Sequence, residues 1–269
     1  MMKFNTINFD TNYLMIVSLK NRIMKTLSNV LLVVILTLFC QLDLVAQDDS
    51  LNKQIWQSIG GQEKWDSLQF LAFSAKGNTI SDQLSNDERK FLFNRTTGAC
   101  RFDGYKGTDQ VTYLFNFKNP GSDKLFIGGN LSADGPELKK SIKNQLFSDL
   151  NLLLLPTLIG QKNVQLKSQK ESFSAGQKLT IANISSSGPI FGSKIDGLLY
   201  IDQNTGEIVR YEYTDKGEKN TYEVSKYKEI GDGIRLPSFF NSTSNDQKSC
   251  IFSSISSFVQ VEQKKFTEL

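Results

Sequence analysis

The longest stretch of regular hydrophobic spacing after the first fifty residues is Pro136–Gly160, PELKKSIKNQLFSDLNLLLLPTLIG. Leu138, Ile142, Leu146, Leu150 and Leu153 recur at steps of three and four, which places them on one face of a helix. Lys139, Lys140, Lys143, Asn144 and Asp149 are assigned to the opposite, polar face. Pro136 suits a first helical turn, and Asp134 stands where a capping side chain is expected. Leu152–Leu155 is apolar on every side, so this end of the helix must be buried. Two readings of it are open: docking on the domain's own core, or covering a hydrophobic cavity.

The chain on either side of this helix has the alternation of β-strands. Leu68–Lys76, Glu88–Asn94, Ala99–Tyr105, Asp109–Phe117 and Lys124–Ile127 precede it. Phe91 and Phe93 share one side of their strand and Leu92 takes the other; Val111, Tyr113, Phe115 and Phe117 share one face of theirs. Asn163–Lys170, Gln177–Ile184, Gly197–Ile201, Ile208–Thr214, Asn220–Glu229 and Ser249–Phe258 follow it. Asp202–Gly206 reads as a hairpin turn rather than a calcium loop, because the further acidic ligands are absent. Gly231–Pro237 reads as a turn and a proline-limited extended segment. Ahead of all of these, Asp49–Trp65 reads as a short amphipathic helix carrying Leu51, Ile55 and Ile59, interrupted at Gly60-Gly61. Trp56 and Trp65 read as core residues. The sum is an α+β domain: about 10–12 strands in consecutive hairpins, forming one strongly curved antiparallel sheet with a lid helix at about 136–155.

The N-terminus has a different pattern. Lys20, Arg22 and Lys25 precede an apolar run, Val30–Phe39, and Ala46-Gln47 opens a polar stretch. This is the layout of a secretory signal peptide over residues 1–46, and Met24 heads a more ordinary one than Met1 does. The apolar core, about ten residues, is short of the roughly 20 that a membrane-spanning helix needs. Cys40 ends that core, but bulky Phe39 before it does not suit a lipid-attachment motif. Residues 47–269 are then the mature, exported domain.

Composition narrows the function further. The 269 residues carry a net charge of +3, and removing residues 1–46 leaves about +1 with no basic block, so nucleic acid is not implied. The chain has no histidine. That removes Ser-His-Asp and Cys-His catalysis and His-containing zinc sites. No metal or cofactor is called for. Cys100 and Cys250 either form a disulfide in an oxidising compartment or remain two buried thiols. A carboxylate pair needs only two acids at the right separation. Asp196, Asp202, Glu207, Glu212, Glu223 and Glu229 lie on or beside strands, and nothing selects a pair among them. What the chain does have is apolar bulk, with 19 phenylalanines.

Four segments in order, GGQEKWDSLQFLAFSAK, the helix with LLLLPTLIG, YIDQNTGEIVRYEYTDKGEK and YEVSKYKEIGDGIRLPSFF, resemble the periplasmic lipoprotein carriers of the LolA and LolB type. They are similar also to a group of uncharacterised secreted Bacteroidetes proteins that share that fold. The resemblance implies an incomplete antiparallel barrel closed by helices, an apolar ligand such as an acyl chain, and a strand arginine that locks the lid. Arg89, Arg95 and Arg101 are the candidates for that arginine. The expectation is a periplasmic or secreted, non-enzymatic, lipid-binding protein. Its ligand-lining candidates are Phe91, Phe93, Tyr113, Phe115 and Phe117 from the sheet, with Leu146, Leu150, Leu153 and Leu154 from the lid. The alternatives are a structural or interaction module of the envelope with a self-filled core and its own protein partner, or a carboxylate-dependent hydrolase.

Overall fold

Thirteen strands form one sheet in a computed structural model of the chain. The structure describes residues 49–269 except 80, 82, 86, 87, 122, 134, 175, 216 and 245–247. The signal peptide at 1–46, its start at Met24, Cys40, and the capping residue Asp134 lie outside the described residues. None of the described helices is long and apolar enough to cross a membrane.

The strands are β1 (Phe70–Gly77), β2 (Arg89–Asn94), β3 (Ala99–Lys106), β4 (Asp109–Asn116), β5 (Lys124–Ile127), β6 (Asn130–Ser132), β7 (Val164–Ser174), β8 (Gln177–Ser186), β9 (Asp196–Asp202), β10 (Ile208–Asp215), β11 (Glu218–Gly231), β12 (Ile234–Ser242) and β13 (Cys250–Phe258). Their order across the sheet is β6-β5-β4-β3-β2-β1-β13-β12-β11-β10-β9-β8-β7, and the pairs are antiparallel. Two meanders are thus joined at the centre by β1 and β13. The expected count was short by β6, which has three residues, and by β12, which contains Pro237. Proline removes a ladder donor and is kept to edges. Here β12 pairs with β13 only through Phe239↔Ile251 and Phe240↔Cys250, so Pro237 lies on a locally free edge.

Helix α3 (Pro136–Leu153) and the 3-10 turn after it, Leu155–Gly160, connect the two outermost strands, β6 and β7. Eighteen helical residues span ~27 Å and six 3-10 residues ~12 Å. Thirteen strands laid flat would separate the edges by ~58 Å. The sheet therefore curls, and α3 lies in its trough. Within the helix only Pro136, Glu137, Lys140 and Asn144 are exposed. Leu138, Ile142, Leu146, Leu150 and Leu153 are 0–3% exposed, and Leu152–Leu155 is buried as a block. Gly135, at φ 120°, holds the N-cap position.

Asp149 corrects the expected polar face. It is fully buried and pairs with Arg89 of β2 through Oδ2···Nε at 2.7 Å and Oδ1···Nη2 at 2.5 Å. Gln145 Nε2 donates to Asp149 Oδ1 at 3.0 Å and to the carbonyl of Asn78 at 3.0 Å. Of the three arginines considered for a lid lock, Arg89 is the one that pairs with α3. Arg101 pairs with Asp103 on its own strand, and Arg95 donates to the carbonyls of Trp65 and Leu68.

The concave face is floored by aromatics. Tyr213, Tyr222, Phe240, Phe252, Phe73, Phe91 and Phe102 come from β10, β11, β12, β13, β1, β2 and β3. Each ring centroid is 5.1–6.1 Å from the next. Such spacing suits edge and offset ring contacts. Cys100 and Cys250 are free, buried thiols. β3 and β13 are separated by β2 and β1. Three strand spacings amount to ~14 Å, beyond the reach of a disulfide, so the disulfide alternative falls.

Helix α1 (residues 49–58) and helix α2 (Gln62–Ser67) are tied to the β9–β10 and β11–β12 turns, through Gln54 to Gln203, Lys64 to Asp232 and the Ile59 carbonyl to Arg235. The glycines of the two sequence turns have a steric reason. A Cβ on Gly60, at φ 99°, would lie 2.3 Å from the Gly233 carbonyl oxygen; one on Gly206, at φ 76°, would lie 2.5 Å from that of Gln54. Asp202 Oδ1 accepts from the backbone N–H groups of Asn204 and Thr205 at 2.7 and 3.2 Å, so its carboxylate holds the turn.

Removing one partner of a buried ion pair leaves an uncompensated charge and costs ~3–5 kcal/mol, whereas replacing both by apolar residues is far less harmful. Asp149→Ala should therefore lose ~3–5 kcal/mol in urea unfolding, and Arg89→Met with Asp149→Leu should recover most of that loss. An Asp149→Ala protein as stable as the parent would refute the locking role.

Candidate functional site

The lid helix fills the trough that was expected to hold a ligand. Phe91, Tyr113, Phe115, Leu146, Leu150 and Leu153 all sit in the continuous core, at 0–4% exposure. Both faces of β4 are covered, since Thr112 and Leu114 on its outer side are also buried. Tyr113 keeps a polar handle: its hydroxyl donates to Asp123 Oδ2 at 2.6 Å, and Lys143 of α3 donates to the same oxygen at 2.8 Å. Burial raises the pKa of the Tyr113 phenol, and the bond to Asp123 raises it further. For Asp123, burial acts to raise the pKa, but the hydrogen bonds from Lys143 and Tyr113 win and hold its carboxyl below the ordinary range.

The other three candidates, Phe93, Phe117 and Leu154, meet in a cavity of about 380 Å³ at the open side of the sheet. Four parts of the chain build it. The ends of β2 and β4 supply Phe93, Arg95, Phe117 and Lys118. Helix α2 supplies Trp65. The end of the lid supplies Leu154, Thr157, Leu158 and Gln161, and the loop from β8 to β9 supplies Pro189, Ile190 and Phe191. Buried Trp65, Phe93, Leu154, Leu158 and Ile190 stand behind the cavity, and Thr157, Gln161 and Asn163 add polar groups to its walls. Its volume lies within the range of small-molecule sites. A second, more open depression of about 520 Å³, beside Trp56, Ile159 and Gly160, has exposed Lys53 and Gln57 in its walls.

The loop wall was missed from the sequence. Its signal is the apolar Ile190-Phe191 inside the polar, glycine-containing run SSSGPIFGSK. Phe191 stacks on Phe147 of α3 at 6.4 Å, and Phe147 meets Phe117 edge-on at 6.1 Å. Phe191 has φ 44°, a left-handed conformation that bulky residues seldom adopt. Such strain persists where surrounding structure over-determines it, and here the ring is held by that aromatic row.

Two cations lie at the rim. The Arg95 guanidinium carbon lies 4.0 Å from the centre of the Trp65 ring, and Nη1 donates to the Trp65 and Leu68 carbonyls at 2.6 and 2.7 Å. Burial lowers its pKa, partly offset by the field of Asp66. The Lys118 ammonium donates to the carbonyls of Arg95 and Thr96 at 2.8 and 2.9 Å. Among the described residues, those lining the cavity include no carboxylate. The acids weighed for hydrolysis are otherwise engaged or solvated. Glu207, Glu212 and Glu223 pair with Arg235, Lys219 and Arg210, Asp202 holds its turn, and Asp196 and Glu229 are exposed.

No protein-family profile matches the sequence, and no curated protein matches it. Among solved structures, the chain is similar to the LolA superfamily protein NE2245 from Nitrosomonas europaea, at 10% identity and a TM-score of 0.44, covering 82% of this chain and 97% of that one. It is similar to a DUF1329 family protein from Desulfovibrio piger, at 12% identity and a TM-score of 0.40, covering 81% and 96%. It is also similar to the lipoprotein LppX from Mycobacterium tuberculosis, at 14% identity and a TM-score of 0.26, covering 61% and 87%. What this chain itself has is one open antiparallel sheet of thirteen strands, with α3 bridging its two outer strands.

Because the folded Asp123 carboxyl releases its proton more readily than an unfolded one, whose pKa is about 3.9, its interactions stabilise the fold above that pH. The contribution is lost as pH falls through the lowered value. Asp123→Asn should therefore be less stable than the parent at pH 7 and show a flatter stability profile below about pH 4, read by thermal unfolding across pH. Parallel profiles for the two proteins would remove Asp123 from the acid response.

Proposed function

We propose that this chain is an exported, non-enzymatic binding protein of the cell envelope that holds a lipid acyl chain, or an apolar ligand of that kind, in the cavity at the mouth of the half-barrel. The observation that carries this reading is the cavity of about 380 Å³ with buried Trp65, Phe93, Leu154, Leu158 and Ile190 in its walls. A cavity of that size backed by apolar side chains suits a short acyl chain. The absence of histidine from the sequence and of carboxylates from the lining favours binding over catalysis. Export rests on the N-terminal sequence pattern. Transfer of lipid or lipoprotein between partners is the corresponding cellular role.

A second reading has its own support. The trough beneath α3 is filled by the protein's own side chains, with Leu146, Leu150 and Leu153 at 0% exposure. That packing suits an interaction module whose partner is another envelope protein.

Native mass spectrometry of residues 47–269 purified from a bacterial periplasm separates the two. A bound mass that leaves on organic extraction and matches a lipid is the expected result. A clean apo mass, unchanged after incubation with fatty acids, would overturn the ligand reading in favour of the interaction module.

A further inference from the structure

Resting on the cavity as the binding site, we propose that its ligand is an anionic single-chain amphiphile, with the tail among Phe93, Leu154, Leu158 and Ile190 and the headgroup held by Arg95 and Lys118.

Size sets the tail. The cavity of about 380 Å³ is at the small end of small-molecule sites, a size that suits one medium-length chain. A doubly or triply acylated anchor needs more space, and α3 occupies the trough where the additional chains would lie.

Charge sets the head. Arg95 and Lys118 are the charged residues of the lining, and both are cations. Neither takes part in an ion pair among the described residues; Asp66 is close enough for its field to reach Arg95 but makes no ion pair with it. The bonds that Arg95 makes use Nη1 alone, and the guanidinium has three further N–H donors on Nε and Nη2. The Lys118 ammonium uses two of its three donors. Stacking on Trp65 fixes the plane of the guanidinium, so its free edge is presented without further ordering. A carboxylate or phosphate is the group that satisfies such donors. A neutral headgroup would leave a half-buried charge without a counter-ion.

The order of apolar and charged residues points the same way. The lid and loop residues that are 1–8% exposed, Leu154, Leu158 and Ile190, form the inner wall, while Lys118 is exposed. An amphiphile entering tail first passes the rim, seats its tail against the inner wall and leaves its headgroup beside Lys118.

The test is a titration of residues 47–269 followed by tryptophan fluorescence, since Trp65 lies in the wall. Dodecanoate, dodecyl phosphate and dodecanol share one tail and differ in charge. One of the two anions at least should bind about tenfold more tightly than dodecanol, the scale of a charge-assisted hydrogen bond. The tighter of the two identifies the headgroup. Lys118→Gln and Arg95→Gln should each bring that anion down about tenfold and leave dodecanol unchanged. Arg95→Gln also removes the bonds to the Trp65 and Leu68 carbonyls, so exposed Lys118→Gln is the variant that decides if the other does not fold. Equal affinity for dodecanol and both anions would overturn the headgroup assignment and leave the cavity standing. Failure of all three to bind would overturn the cavity reading itself.

Discussion

One constraint shapes this molecule: an apolar helix that is continuous in the chain with both outer edges of the sheet. Helix α3 leaves β6 at one edge and reaches β7 at the other within the length of a short bridge. A sheet of this width can meet that condition only by curling, and a curled sheet encloses whatever bridges it. The leucine stripe on α3 and the aromatic row across seven strands are the two sides of this enclosure. Each buried leucine or isoleucine contributes ~1.5–3 kcal/mol, so the lid docks chiefly by apolar burial. The Arg89–Asp149 pair adds little net attraction, because desolvating both charges offsets their Coulomb gain. Its effect is on register: bidentate geometry and the Gln145 bond are satisfied at one rotation and height of the helix.

The same constraint explains why the open cavity lies at the mouth. Along the trough, helix and sheet are complementary and leave no room. At the helix C-terminus the chain passes into a tighter 3-10 turn ended by Gly160. The cavity beside it is walled by what is near: the ends of β2 and β4, Trp65, and a loop whose Phe191 has a strained conformation. Apolar walls come from the end of the lid, and cations come from the turns after two strands, so the site is amphipathic by construction.

Most of this was legible. The helix, the two β blocks and the burial of Leu152–Leu155 follow from spacing alone, and the lining candidates of β2 and β4 face inward as their alternation requires. Asp149 was misplaced because its charge outweighed its position. It falls three residues after Leu146 and four before Leu153, on the apolar stripe, where an acid must have a buried partner. Arg89 shares strand parity with Phe91 and Phe93, which marks it as that partner, whereas Arg101 has the parity of Asp103. The separation of Cys100 from Cys250 needed strand order, which no local pattern contains. The loop wall was hidden because two apolar residues in a polar run have no period.

The position of β13 has a consequence for the order of assembly. It is the last strand in the chain, yet it occupies the middle of the sheet and joins the two meanders. Phe70↔Phe258 and its neighbours close a loop over nearly the whole domain, and such closures come late and slow folding. A chain emerging from its N-terminus can build β1 to β6, and then β7 to β12, as separate hairpin stacks. Until β13 arrives, the inner edges of β1 and β12 are both unpaired, each a template for wrong strand partners. The fold thus has a vectorial vulnerability: the incomplete chain is aggregation-prone at its centre rather than at its rim, and a chaperone that shields β1 would act where the finished protein shows no edge at all.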